Sequence, residues 1–210
     1  MSYKELVSKY GRGLMSHVQY TEIAKELEPH CPCNLLVFGL GDDSHLWQNL
    51  NINGVTVFLE DDQSWIDKIL NKSTEDCSYF ESTNELTVHH VNYKTKIQDY
   101  HQINLGVRDD SFFDEEEIKI DLPSEVTDVL WDFIIVDGPL GHQPPRPYNG
   151  PGRMSSIFSA YSLIKEDGII VIDDYNRGIE KTYSDHYFGK ENLFKMVEGK
   201  VGFFKNAKKR

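Results

Sequence analysis

Three aspartates carry much of the chemistry this sequence can offer. Asp137 closes the apolar run "DFIIVD", and Asp173 and Asp174 follow the apolar run "IIVI". If those runs are adjacent strands, about 4.8 Å apart, the three side chains can meet at one point. Unpaired carboxylates so placed would repel one another and raise their pKa values. A divalent cation removes the conflict, and hard oxygen donors suit Mg²⁺, Mn²⁺ or Ca²⁺. The expectation is a metal held by Asp137, Asp173 and Asp174. Coordination would lower the pKa of a bound hydroxyl, and a general base would then take its proton. One of the aspartates, Asp137 or Asp174 above all, or His142 in the loop beyond, is the candidate base. The alternative is structural: Asp173 or Asp174 caps the next loop or pairs with Arg177.

A second constellation lies at "NLLVFGLGDDS", residues 34–44. An apolar run enters Gly39-Leu40-Gly41, and Glu60 follows Gly41 after nineteen residues, at the end of the next apolar run. This is the spacing at which a carboxylate after a second strand meets the ribose of a nucleotide held at the first turn. A pyrophosphate ligand is disfavoured. The third small position of a dinucleotide turn is Ser44, and Asp42 and Asp43 would repel phosphates that want bare N–H groups. A ligand with a cationic end and no phosphate is tolerated, which points to S-adenosylmethionine. Its expected contacts are Gly39, Gly41, Asp42, Ser44, Glu60, Asp61, Tyr93 and Asp137, with Tyr93 lining the adenine or packing.

The elements that must position these groups alternate in type. Helices are expected over Tyr20–Leu27, capped by Thr21, over Ser44–Leu50, after Ser64, over Arg153–Lys165 and over Glu180–Phe188. Strands are expected at 35–38, 55–59, 85–91, 132–137 and 169–173, with a hairpin at 193–205 around Glu198-Gly199. Strand–helix alternation implies a parallel sheet with right-handed crossovers. The fold class expected is α/β: one Rossmann-like domain over 1–210, with about seven mostly parallel strands, an antiparallel C-terminal hairpin and an N-terminal helical segment over 1–30. The acidic stretch 106–129 reads as a surface insertion. The Pro/Gly-rich stretch 138–152 is neither helix nor central strand. It carries His142, Arg146 and Tyr148, which with Arg153 are the candidate acceptor contacts, since a tyrosine face can stack on a pyranose ring; Arg153 could instead tie the loop down through Asp137.

Bulk properties exclude other classes. A net charge of −12 over 210 residues disfavours a nucleic-acid or anionic-membrane binder. No apolar run reaches the ~20 residues of a membrane span, and the three cysteines make no disulfide framework. Cys31 and Cys33 lack a second ligand pair at zinc spacing. The chain as given reads as soluble and cytoplasmic.

Read in order, "PCNLLVFGLGDDS", "VFLEDD", "VNYKTK", "WDFIIVDGP", "PGRMSSIFSA" and "RGIEKTY" resemble the plant polysaccharide-biosynthesis family that includes glucuronoxylan 4-O-methyltransferase. The resemblance runs from about Pro32 to Tyr183. It implies an S-adenosylmethionine-dependent methyltransferase acting on a sugar hydroxyl of a glycan. Two departures bear on the acceptor and the compartment. The plant proteins carry an N-terminal membrane anchor, and they have a His-Asp pair where this chain has Asp173-Asp174. The acceptor therefore need not be glucuronic acid, and the Golgi lumen applies only if the chain is a domain of a larger, anchored glycan-synthesis protein. The layout of the aspartates is also similar in geometry to metal-dependent catechol-type O-methyltransferases. Two other readings stay open: a small-molecule O-methyltransferase, and a cofactor-binding module without catalysis.

Overall fold

The computed structural model describes residues 1–75, 85–98, 100, 114–140 and 150–206. Two N-terminal helices, α1 (Tyr3–Tyr10) and α2 (His17–Leu27), precede the alternating part of the chain. There follow β1 (Asn34–Phe38), α3 (Ser44–Leu50), β2 (Val55–Glu60), α4 (Gln63–Glu75), β3 (Thr87–His90) and β4 (Trp131–Val136). The chain closes with α5 (Met154–Leu163), β5 (Ile164–Ile172), α6 (Gly178–Ser184), β6 (Leu193–Val197) and β7 (Val201–Lys205). One seven-stranded sheet has the order β3-β2-β1-β4-β5-β7-β6. Strands β1 to β5 are parallel, and β7 runs antiparallel between β5 and β6.

The apolar runs are long because both sheet faces are covered. Along β1, Leu36 and Phe38 enter one core cluster, while Leu35 and Val37 enter the other. This is the period-2 alternation of a strand with helices on each side. Buried Asn51 ties β1 to β2: its Oδ1 accepts from Cys33 N–H at 2.9 Å, and its Nδ2 donates to the carbonyls of Cys33 and Val55.

Several boundaries differ from expectation. Helix α2 begins at His17, because Ser16 and Gln19 form a capping box. Thr21 lies inside the helix, its hydroxyl bonded back to the His17 carbonyl. Asp62, not Ser64, caps α4 through bonds from the Ser64 and Trp65 amides. The stretch expected as a surface insertion contributes to the core from residue 114 onward. Short helical turns at Glu115–Ile118 and Ser124–Thr127 bury Ile118 and Val126 completely.

The last hairpin turns through Glu198 and Gly199, both at positive φ (50° and 64°), the pairing a two-residue type I′ turn requires. It is clamped to α2 across the sheet edge. Lys195 Nζ lies 2.9 Å from Glu26 Oε1 and also pairs with Glu22, and the Ser16 hydroxyl donates to Glu198 Oε2 at 2.6 Å.

Candidate active site at the carboxyl ends of the strands

The strand order reverses between β1 and β4, and ligand sites of open parallel sheets lie at such points. Here the loops leaving the two strands touch. Gly39 has φ +107°, and a Cβ there would stand 3.0 Å from the Gly138 nitrogen. A Cβ on Gly138 would stand 2.6 Å from Gly39 Cα. Only two glycines permit this approach without a shift of backbone.

The Gly39–Gly41 turn is held from three sides. The Leu40 amide donates to Glu60 Oε2 at 3.0 Å, the Gly41 amide to Ser44 Oγ at 2.9 Å, and Trp65 Nε1 to the Leu40 carbonyl at 2.6 Å. Glu60 Oε1 also accepts from the amides of Asp61 and Asp62. Each carboxylate oxygen has two lone pairs, so Oε1 is filled while Oε2, bonded to Leu40 alone, keeps acceptor capacity toward a hydroxyl. Burial raises its pKa, with the backbone bonds from Leu40 and Asp62 opposing. Beside it, at the ends of β2 and β3, an open cleft of about 220 Å³ is lined by Asp61, Asn92, Tyr93, Thr95, Lys96 and Pro151. The Tyr93 hydroxyl lies 3.0 Å from Ser156 Oγ, and burial lifts its pKa. Of the two aspartates in the turn, Asp42 is exposed and Asp43 is 8% exposed.

Asp137, Asp173 and Asp174 do converge, but around a guanidinium. Arg153, 4% exposed, enters from the start of α5. Its Nε donates to the Pro139 carbonyl at 3.0 Å, Nη1 to the Asp173 carbonyl at 2.8 Å, and Nη2 to the Asp137 carbonyl at 2.8 Å. Its carboxylate distances are 3.2 Å to Asp137, 3.6 Å to Asp173 and 3.7 Å to Asp174. Arg177 pairs with Asp174 at 2.8 Å, and Lys200 lies 3.2 Å from the other Asp174 oxygen. This arrangement does not support the metal expectation. The conflict among the carboxylates is relieved by fixed cations of the chain itself. Among the described residues no group of three His, Cys, Asp or Glu side chains is arranged to hold an ion. Asp174 sits at φ 55°, a strained position for a non-glycine residue, which turns its carboxylate toward Arg177 and Lys200.

The cluster is electrostatically uneven. Burial, and the neighbouring charges of Asp173 and Asp43, hold the Asp137 pKa well above the usual carboxylate range despite Arg153. Asp173 is held low: Arg153 and a hydrogen bond from Asp137 outweigh its own desolvation. Of the two, Asp137 is the carboxylate whose neutral form is the more favoured, and its side chain is one-third exposed.

His142, Arg146 and Tyr148 lie outside the described residues. Of the two readings of Arg153, an acceptor contact or a tie from the loop to Asp137, the structure shows the tie. Glu180, 2% exposed on α6, adds a fourth carboxylate facing Arg153. The sequence offered no signal for it beyond its place in "RGIEKTY". His89 and His90 do not reach the cluster, and His90 Nε2 lies 3.1 Å from the Asp61 carbonyl.

A family model described as IRX15/IRX15L/GXM matches residues 19–204. The chain belongs to that family. Glucuronoxylan 4-O-methyltransferase 3 of Arabidopsis thaliana is 36% identical over 176 residues, 78% of this chain and 54% of the relative. Arabinogalactan O-methyltransferase 2 of the same plant is 33% identical over 178 residues, 77% of this chain and 56% of the relative. The chain thus spans about half the length of the curated relatives it matches. A Staphylococcus aureus protein assigned as a caffeoyl-CoA O-methyltransferase superposes with a TM-score of 0.55 at 11% identity, over 97% of this chain and 90% of that one. The IRX15/IRX15L/GXM chain described here therefore has a methyltransferase fold. Among its described residues no helix is long and apolar enough to cross a membrane.

Proposed function

We propose that this chain is an S-adenosylmethionine-dependent O-methyltransferase domain whose acceptor is a sugar hydroxyl of a glycan. The observation that carries the reading is the coincidence of two things at one point. The family's glycan O-methyltransferases match this chain, and the switch point bears the paired glycines and the tethered Glu60 that a nucleoside ligand needs. Gly39 and Gly41 let the ligand approach the backbone. Glu60 receives the ribose hydroxyls, and Asp61 and Tyr93 bound the adenine side of the cleft. When bound, S-adenosylmethionine supplies an electrophilic methyl group.

The remaining task is to activate a poor nucleophile. A sugar hydroxyl has a high pKa, so a base must take its proton as the oxygen forms its bond to carbon. Asp137 has the properties required. It is partly exposed at the switch point, its backbone is pinned by Arg153, and its pKa is raised above the usual carboxylate range, chiefly by burial, which makes it a stronger base. Asp173 and Arg153 keep it oriented, and its ionised carboxylate receives the proton. The reading routes no step through a metal, since Asp173 and Asp174 face Arg153, Arg177 and Lys200.

The test is direct. Xylan and arabinogalactan oligosaccharides incubated with isotope-labelled S-adenosylmethionine should each be scanned by mass spectrometry for the gain of one methyl group. Transfer to a catechol and to no glycan would replace this reading with a small-molecule O-methyltransferase. Ligand binding with no transfer to any acceptor would leave a cofactor-binding module.

A further inference from the structure

The two aspartates after β5 use their oxygens unequally. Oδ2 of Asp173 and Oδ2 of Asp174 face Arg153, at 3.6 and 3.7 Å, and Oδ2 of Asp174 also meets Arg177 at 2.8 Å. Oδ1 of each accepts no hydrogen bond from the described residues, although both atoms are buried and both residues are 4% exposed. A buried carboxylate oxygen without a donor costs stability, and native structures complete such atoms with a protein group, a water or a ligand.

The group facing both oxygens is Lys200. Its Nζ lies 3.2 Å from Asp174 Oδ1 and 3.9 Å from Asp173 Oδ1, so it supplies charge to both and a hydrogen bond to neither. Its backbone is fixed where the C-terminal hairpin turns. The Lys200 carbonyl accepts from the Tyr175 amide at 2.8 Å, and the Lys200 amide donates to the Val197 carbonyl at 2.9 Å. Its side chain is 33% exposed, on a flexible four-carbon stem. The opposite cation, Arg153, is locked by three carbonyls. Asp174 holds its place in this arrangement at φ 55°, and such backbone positions concentrate at ligand sites.

Two acceptors without donors, beside an ammonium that is not hydrogen-bonded to them, select among ligand groups. A carboxylate or phosphate would be repelled by both aspartates, and an ammonium by Lys200. An apolar group would leave all three polar groups unpaired. A hydroxyl donates through its hydrogen and accepts through its oxygen, so it bridges an aspartate and the lysine. We propose that Asp173 Oδ1, Asp174 Oδ1 and Lys200 Nζ bind two neighbouring hydroxyls of the acceptor, in a subsite beside Asp137. The proposal rests on the glycan reading above and names the residues that grip the sugar. Lys200 covers the two oxygens in the free protein and swings outward by a rotamer change as the hydroxyls arrive.

The experiment pairs steady-state methyl transfer to xylan and arabinogalactan oligosaccharides with calorimetry of S-adenosylhomocysteine. Lys200→Met keeps the stem and removes the donors. It should raise KM for the oligosaccharide by about ten- to hundredfold, the range for a lost charged hydrogen bond, and leave S-adenosylhomocysteine affinity within about twofold. Lys200→Arg retains a cation and donors, so it should recover part of that loss. In the wild-type protein, acylation of Lys200 by an amine-reactive ester, followed by mass spectrometry, should slow when the oligosaccharide is added. Equal losses in KM and in S-adenosylhomocysteine affinity would mean that Lys200 only steadies the strand ends. An unchanged KM, or a Lys200 that the oligosaccharide does not protect, would mean that water and not the acceptor completes the two oxygens. Each of these results overturns the proposal. If wild-type protein binds S-adenosylhomocysteine but methylates no glycan, the glycan reading itself fails and this assignment falls with it.

Discussion

Arg153 Nη2 donates to both the carbonyl and the carboxylate of Asp137, at 2.8 and 3.2 Å. One guanidinium therefore fixes the backbone at the end of β4 and the charge that stands on it. The same group reaches the backbone after β5 through Asp173, so the two central strand ends are joined by one side chain.

Removing that side chain should be severe. Arg153→Met leaves four buried or half-buried carboxylates facing one another, and breaking such a cluster typically costs about 3–5 kcal/mol. Arg153→Lys keeps the charge but cannot reach three carbonyls at once, so it should recover only part of the loss. Urea denaturation monitored by circular dichroism measures both.

With its carboxylates committed to Arg153, Arg177 and Lys200, the wild-type protein should keep its melting temperature in excess chelator and with added Mn²⁺. A reproducible rise with Mn²⁺ that disappears in Asp174→Asn would show that the cluster opens to a cation after all.

Asp137 predicts the acid side of the rate profile. Its carboxyl must be ionised to accept a proton, and its pKa lies above the usual carboxylate range. Turnover should therefore rise with pH through a midpoint higher than an ordinary aspartate would give. Asp137→Asn should lower kcat by about 10²- to 10⁴-fold while S-adenosylhomocysteine still binds. If His142→Ala abolishes turnover and Asp137→Asn does not, the base is His142.

The nucleoside turn can be tested at three residues. Gly39→Ala places a side chain at φ +107° and against Gly138, so it should lose about 1–3 kcal/mol together with ligand binding. Gly41→Val collides with Asp43 before any ligand arrives. Glu60→Gln retains an oxygen but not the charge and cannot accept all three amides, so both melting temperature and ligand affinity should fall. Differential scanning fluorimetry with and without S-adenosylhomocysteine reads both quantities.

Asp43 makes stability depend on pH with a defined sign. Its pKa is raised to about 6, so the fold favours the protonated form. That contribution is complete below about pH 4, the unfolded value, and is lost as pH rises through about 6. In the ligand-free protein, Asp43→Asn should therefore be neutral near pH 4 and stabilising near pH 8, by on the order of 2–3 kcal/mol. Denaturation midpoints at the two pH values decide it; a variant less stable than wild type at pH 8 would contradict the sign.

Much of this was legible from residue order because the strands are buried on both faces and announce themselves as unbroken apolar runs. The turn at Gly39 and the carboxylate at Glu60 were legible for the same reason: strand ends fix where they fall. What stayed hidden was whatever depends on a partner distant in sequence. That Asp137, Asp173 and Asp174 would meet followed from strand adjacency. That Arg153 could tie the loop to Asp137 was also legible; that it would reach on to Asp173 and Asp174 was not, since helix periodicity says nothing about how deep the first side chain of a helix reaches. Asp42 and Asp43 are likewise indistinguishable by type, and only the position of Tyr20 on α2 decides which one turns inward. Ile118 and Val126 lay in a stretch too acidic to suggest a core.

The clamp between Lys195 and Glu26 spans 169 residues of chain, and β1 pairs on one side with β2 and on the other with β4. The β1–β2 pairing is local, but the β1–β4 pairing and the clamp wait for chain far downstream. Loop-closure entropy must be met before such distant pairings give anything back. Assembly is thus expected to be slow and to finish at the outer edge, where the hairpin locks onto α2. A nascent chain stalled before β6 would hold five of the seven strands and still lack the hairpin contacts that brace α2 from the outer edge.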